Sequence, residues 1–497
     1  MSKLKIYYFF YALLFLFYAI TLAKPIDLTT QDLGRHIANG REIVSGNLAV
    51  LSQNFYSYTL PENKFINHHW LFGLITFFLE HAVGFIGIHV FNILVLITAF
   101  WFFLKITVKE TSHFYGLLIG LPAVLFLSLR AEVRPESIGL LFMAHTLYQL
   151  QTVIQKKQVT TKQLILLTIQ QLFWVNIHIS FIFGIFIIGL LWISSFILHS
   201  PDLDNTINKK LSILFVSVMV ASIANPNFLM GALQPLLIFT DYGYAIVENQ
   251  TLYSLWRILN LTTVFPFLLV VAIGLALLVF EKKVLSWFEI LLYLTGFFLG
   301  FYALRNIPIF VVFSLPILTK LAWSCVQKSQ YLSKIKLPTT QKTVLLAQLY
   351  LFVIAVSLSG KIMPRTALAN RKLGLLPNQN QATEFIKANN LRGPIFNNYD
   401  LGSYLIYHHP DIKVFTDNRP EAYNKKFFQK IYIPMQTDPE VWLEQLQKYR
   451  FQTIIFGIRD LTPAAHAFLQ FISDHPDWQL SFQDEFIKIW VYKSADV

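Results

Sequence analysis

Cysteine is almost missing from this chain: Cys325 stands alone among 497 residues, which excludes an intrachain disulfide and a cysteine-built metal site. Charge is sparse as well, at 14% of residues, and acids are the scarcer sign, with 28 Asp and Glu against 40 Lys and Arg. A net charge of +12 would suggest nucleic acid if the basic residues formed a stripe with interleaved aromatics. They do not. The lysines are scattered over short segments between apolar runs, so no nucleic-acid partner is expected. The sequence has no internal repeat or low-complexity tract, and no GxGxxG follows a strand pattern to support dinucleotide binding.

Apolar surface is what the chain has in excess. Hydrophobic residues make up 55% and aromatics 16%, with a mean hydropathy of +0.51, whereas soluble domains are nearer about 45–50% apolar. Apolar runs of roughly twenty residues recur, the length that crosses about 30 Å of hydrocarbon. The expected fold is therefore a polytopic α-helical membrane protein. Spans are expected near 6–23, 86–104, 114–129, 137–154, 163–177, 181–198, 211–224, 263–280, 287–304, 308–326 and 343–360, about eleven in all. The run Trp70 to Val83 is too short to cross and is expected to be interfacial or re-entrant.

Orientation follows from the lysines. Lys3 and Lys5 precede the first span, which has no cleavage site after it and reads as a retained anchor. With the N-terminus cytoplasmic, Lys105, Lys109, Lys156, Lys157, Lys162, Lys209, Lys210, Lys282, Lys283 and Lys328 all fall inside. The expected location is the cell membrane, multi-pass. Residues 1–360 form the membrane module, with a first outer loop at 24–69. Residues 361–377 form a linker marked by Pro364 and Pro377, and 378–497 form a small extracytoplasmic α/β domain. The elements expected there are helices over 381–389, 401–408, 439–449 and 463–475, and strands over 394–397, 413–416, 453–457, 480–485 and 487–492.

Polar residues concentrate in the outer loops. The first holds Asp32, Arg35, His36, Asn67, His68 and His69; Leu33, Ile37 and Val44 repeat there at helical spacing, so a short helix is expected in the headgroup layer. The next loop holds Arg130, Glu132, Arg134 and Glu136. Asn176 with His178, Asn225, and Arg305 with Asn306 follow at the ends of later spans. Singly, such residues are anchors, helix ends or satisfied interior groups. Together they are not, because ionisable groups beside a bilayer are costly and mark function.

Glycosyl transfer from a polyprenyl-phosphate sugar suits this set. The leaving phosphate needs cations, and guanidinium forks fit its oxygens better than amines do; Arg35, Arg130, Arg134 and Arg305 are the candidates, with His36 beside them. The acceptor hydroxyl needs a carboxylate to take its proton, and Asp32 is the candidate. No cofactor is expected. Adjacent His68 and His69 point apart on a helix and are poorly placed to share a metal, although a divalent ion is left open.

These residues carry a resemblance. Asp32, Arg35 and His36 followed by Arg41, Glu42 and Gly46 resemble the first outer loop of GT-C superfamily transferases of the protein mannosyltransferase and aminoarabinose transferase type. Asp32, Leu33, His36 and Gly40, then FYSYT at 55–59, then Asn67, His68, Trp70 and Leu71 are similar to bacterial members of unassigned acceptor. Arg134-Pro135, Asn176 with His178, Asn225-Pro226, NNYDLGSYLIY and VFTDNRPEAY continue the likeness.

The resemblance implies a GT-C fold, an inverting transferase, a polyprenyl-phosphate-linked donor and a lipid, glycan or protein acceptor. It also implies Asp32 as base and a second acid at Glu132 or Glu136. It departs at Gly34, where an aromatic is expected, and at His69, where an acid is. Asn67, His68, His69, Asn176 and His178 are expected to line the substrate site. Asp400 is expected to cap the helix at Leu401, and Asp417 and Arg419, at strand ends, to meet an acceptor or partner. The alternatives are a flippase or transporter of lipid-linked saccharides, which should show paired broken helices at mid-membrane, and a non-catalytic membrane scaffold.

Overall fold

The computed structural model describes residues 3–238, 243, 244, 246–259, 264–329, 339–358 and 371–493. Each expected span is a helix: α1 (Lys3–Leu22), the second half of α3 (Trp70–Glu110), α4 (His113–Leu127), α5 (Glu136–Lys156), α6 (Thr161–Ile177), α7 (Ile182–Phe196), α8 (Asn205–Ala221), α11 (Val264–Glu281), α12 (Trp287–Tyr302), α13 (Ile307–Lys328) and α14 (Thr339–Leu358). Among the described residues, six segments are long and apolar enough to cross a membrane: Lys5–Leu22, Trp70–Glu110, His113–Arg130, Ile179–Phe196, Val264–Val284 and Leu304–Lys328. Two of the others, α5 and α6, trade apolarity for a polar seam. His145 pairs with Gln170, and Gln170 donates to Thr146 Oγ1 at 2.8 Å, so the amides are satisfied between the helices.

The run from Trp70 is divided from the rest of α3 at Gly84, whose φ of +66° falls in the left-handed region. Two further helices, α9 (Phe228–Leu237) and α10 (Leu252–Leu259), occupy the stretch between α8 and α11. Much of the linker, 361–370 with Pro364, lies outside the described residues. Its later part is tied down: residues 26 and 375 form a parallel bridge, and Gly374 N donates to His89 Nδ1.

The C-terminal domain carries helices α15 (Gln381–Ala388), α16 (Gly402–His408), α17 (Pro439–Tyr449) and α18 (Pro463–Ser473) around strands β1 (Ile395–Asn397), β2 (Thr453–Gly457), β3 (Trp478–Gln483) and β4 (Ile487–Tyr492). The sheet order is β1-β2-β4-β3, with β1 and β2 parallel and the other neighbours antiparallel. Residues 413–416 do not join the sheet. Val414 instead bridges Ser57 of the first loop, donating to Tyr56 O at 3.0 Å, so that segment's backbone bonds go to another part of the chain.

Loop and domain share one apolar core. Ile26, Leu28, Leu33 and Ile37 are buried with Ile395, Leu401, Tyr404 and Ile487. This enclosure corrects the expectation of a helix lying in the headgroup layer. Helix α2 (Leu33–Val44) is buried from Leu33 through Gly40, held between α3 and the C-terminal domain. Glycines permit it: a β-carbon at Gly34 would stand 2.8 Å from Ser403 O, and one at Gly40 would stand 2.3 Å from Gly73 O. The departure at Gly34 is therefore a packing requirement of this chain, since α16 occupies the space an aromatic would need.

Candidate functional site

Asp32 immediately precedes α2 and caps nothing with its side chain. Its carboxylate instead faces three cations or imidazoles: His36 Nε2 at 3.4 Å, Arg35 Nη2 at 3.6 Å and Arg134 Nε at 4.0 Å. Helical spacing sets the first two, which lie one turn along from Asp32 on the same face. Burial alone would push this carboxyl up, but the contact with His36 and the charges of Arg134 and Arg35 outweigh it and hold Asp32 well below the ordinary carboxylate range. Asp32 is a carboxylate at any physiological pH.

From Asp32 the charges alternate across the site. Lys24 pairs with Glu132 at 3.3 Å, Glu132 with Arg134 at 2.8 Å, Arg134 with Glu248 at 2.7 Å and Glu248 with Arg130 at 2.7 Å. Arg130 then holds Glu136 through Nε at 2.9 Å, and Arg305 Nη2 lies 3.7 Å from Glu136 while its Nη1 donates to Asn249 at 2.8 Å. The ladder thus joins the loop between α4 and α5, the segment before α10, and the turn between α12 and α13. Both second-acid candidates, Glu132 and Glu136, are engaged in it. Arg35 spans to the C-terminal domain, donating from Nε to Asn418 at 3.2 Å, while its Nη1 is buried without a hydrogen-bond partner.

Four imidazoles close the other side. The ring of His69 lies 5.3 Å from those of His36 and His178, and 4.2 Å from that of His68. Burial lowers all four; His68 falls to about 3 and His178 to about 4, so neither carries charge at neutral pH. His178 Nδ1 is engaged by Ser180 at 2.7 Å. Among the described residues no group of three or more His, Cys, Asp or Glu is arranged to hold a metal ion.

The two asparagines are committed to the fold. Asn67 donates to Val50 O and accepts from His69 N, and Asn176 accepts from Trp70 Nε1 at 2.8 Å while donating to Leu172 O and Ala224 O. Through these bonds they position His69 and the start of α3.

Asp417 and Arg419 are likewise turned inward. Arg419 grips Asp417 with two 2.6 Å bonds and reaches Asn54 of the first loop at 2.8 Å, with exposures of 0% and 1% for the acid and the base. That pair fastens the loop to the domain, which corrects the expectation of partner recognition. Asp400 corrects another: helix α16 begins after Leu401 with no side-chain cap. Its carboxyl instead lies within electrostatic reach of Asp460, Arg134 and Glu248.

Glu248, Asn249 and Lys24 are the members that the sequence reading passed over. Glu248 stands in VENQ between two apolar helices, and the cost of an acid beside a bilayer, which singles out Glu132, applies equally to it.

No family model and no curated protein matches the sequence. Solved structures do match the fold. The archaeal oligosaccharyltransferase AglB from Archaeoglobus fulgidus, in complex with an inhibitory peptide and a dolichol-phosphate, superposes with a TM-score of 0.62 at 10% identity, over 93% of this chain and 71% of that one. ArnT from Cupriavidus metallidurans, bound to undecaprenyl phosphate, gives 0.54 at 12% identity and 98% of each chain. The chain shares the fold of these two proteins. The likeness runs through both the helical module and the C-terminal domain, because nearly the whole chain is covered in each comparison.

Proposed function

We propose that this protein is an integral-membrane glycosyltransferase that moves a sugar from a polyprenyl-phosphate-linked donor to an acceptor hydroxyl at the outer face of the membrane. The observation that carries the reading is the meeting of one ionised carboxylate, Asp32, with the guanidinium groups of Arg35 and Arg134 at helix ends. Of the two solved structures that share the fold, one is an oligosaccharyltransferase in complex with a dolichol-phosphate and the other is bound to undecaprenyl phosphate, which supports a polyprenyl-phosphate ligand here. The site lies at one end of the helices, which favours a transferase over a carrier with a midplane site.

The chemistry is a single displacement. The acceptor oxygen forms a bond to the anomeric carbon as the bond from that carbon to the phosphate oxygen breaks, so configuration inverts. The acceptor's proton passes to Asp32, and the polyprenyl phosphate leaves with the bonding electron pair. Arg130, Arg134 and Arg305 stabilise the charge that develops on the leaving phosphate. The neutral histidines shape the pocket without adding positive charge near the base.

The C-terminal domain is joined to the site through Asn418 and Arg35, which supports a role for it in presenting the acceptor. The expected topology puts that domain and Asp32 outside and the N-terminus in the cytoplasm. The test is release of free polyprenyl phosphate. Purified protein mixed with polyprenyl-phosphate sugars and cell-envelope extract should liberate it, as measured by mass spectrometry, and the sugar should appear on an envelope component. No release from any donor of this class would reject the reading.

A further inference from the structure

Glu248 is held in an unusual way. One of its oxygens lies 2.7 Å from Arg130 Nη1 and the other 2.7 Å from Arg134 Nη1, so a single carboxylate spans the two guanidinium groups. Both arginine side chains are largely buried, at 7% and 17% exposure, and Glu248 is at 19%. Two oxygens on one acidic centre, each facing its own guanidinium, is the contact a phosphate makes with an arginine pair.

The segment carrying it is anchored on either side and short between. Tyr244 stacks on the C-terminal domain, with its ring 4.3 Å from that of Tyr399 and 5.1 Å from that of Phe428. Gln250 O accepts from Leu304 N at 3.2 Å. Between these anchors, Val247–Asn249 form one short turn, whose Asn249 accepts from Arg305 Nη1 at 2.8 Å.

We propose that Glu248 is an internal stand-in for the donor's phosphate: it occupies the anion site of Arg130 and Arg134, is displaced when the donor binds, and returns to expel the product. This rests on the donor reading above. The charges make the exchange directional. A polyprenyl-phosphate sugar is a phosphodiester with one negative charge, like the carboxylate it replaces, so the swap keeps the buried arginines neutralised throughout. The product is a monoester with a charge of about −1.5 to −2 at neutral pH; without a competitor it would be held too tightly for turnover. Glu248 supplies that competitor at a fixed local concentration.

Two measurements test this, on the full chain in detergent. Isothermal titration with inorganic phosphate and with a short-chain polyprenyl phosphate compares the parent protein with Glu248→Gln and Glu248→Asp. Both probes should bind Glu248→Gln tighter by on the order of tenfold, with Glu248→Asp between. A spin label at Val247→Cys, in a Cys325→Ser background, should gain mobility as either probe is added.

Equal or weaker binding by Glu248→Gln, or a label unmoved at saturating probe, overturns the displacement. The donor reading fails separately. If displacement holds but that reading is wrong, the binding and mobility changes appear while no polyprenyl-phosphate sugar is turned over. If the donor reading holds and displacement is wrong, sugar is transferred while Glu248→Gln binds no tighter. Failure of every form to bind either probe rejects both.

Discussion

Gly40 and Gly73 bring helices α2 and α3 into backbone contact, so closely that a β-carbon on Gly40 would lie 2.3 Å from the Gly73 carbonyl oxygen. Asp32 rides on the start of α2, and the position of the whole site relative to α3 and its His69 depends on that approach. Gly40→Ala should therefore cost about 1–3 kcal/mol of stability through overpacking, lowering the thermal midpoint and the activity together. A variant with unchanged midpoint would show that the contact is slack.

Arg305 separates charge from geometry. It is the most exposed arginine of the ladder, at 32%, and reaches Asn249 and Glu136 with different nitrogens. If it grips the donor phosphate with a fork, Arg305→Lys should weaken polyprenyl-phosphate binding about tenfold and Arg305→Ala further. A membrane-surface anchor would tolerate lysine. Titration calorimetry on the three forms reads the difference; equal affinities would remove Arg305 from the site.

Asp400 predicts a pH-dependent stability. Burial, with the Asp460 carboxylate beside it, pushes Asp400 up to about 7, against an unfolded value near about 3.9. A carboxyl raised on folding stabilises fully below the unfolded value, and that contribution is lost as pH rises from about 4 through about 7. Asp400→Asn removes the loss. Its thermal midpoint should exceed that of the parent by about 2–4 °C at pH 8, with the gap narrowing toward pH 5. A constant gap, or one of opposite sign, would contradict the assignment.

Topology can be read by labelling in a Cys325→Ser background. A cysteine at Leu461, which is 70% exposed on the C-terminal domain, should react with a membrane-impermeant thiol reagent in intact cells. One at Gln158, between α5 and α6, should react only after lysis. The reverse pattern would place Asp32 in the cytoplasm.

Much of this architecture is legible because apolar length is a local signal. Helix α17 and strand β2 fall on the expected residues for the same reason, their turns and patterns being complete within the segment. What stayed hidden is tertiary. Residues 413–416 have a strand's composition, but their partner is the first loop, hundreds of residues away. The pairing of Asp417 with Arg419 is adjacent in sequence, yet burial against Asn54 decides whether it is a lock or a recognition site. Glu248 was visible as a lone acid between apolar helices, but only the fold shows that it lies on Arg130 and Arg134.

Asp32 as the base is the centre of the account, and replacing one oxygen of its carboxylate tests it most directly. Asp32→Asn keeps the size of the side chain and its place before α2, but removes the proton acceptor. The measurement is single-turnover transfer from a polyprenyl-phosphate sugar, with donor affinity determined on the same preparation. Donor binding should persist while the transfer rate falls by about 100-fold or more. Transfer at the parent rate by a folded, donor-binding Asn variant would contradict the assignment of Asp32 and the mechanism built on it.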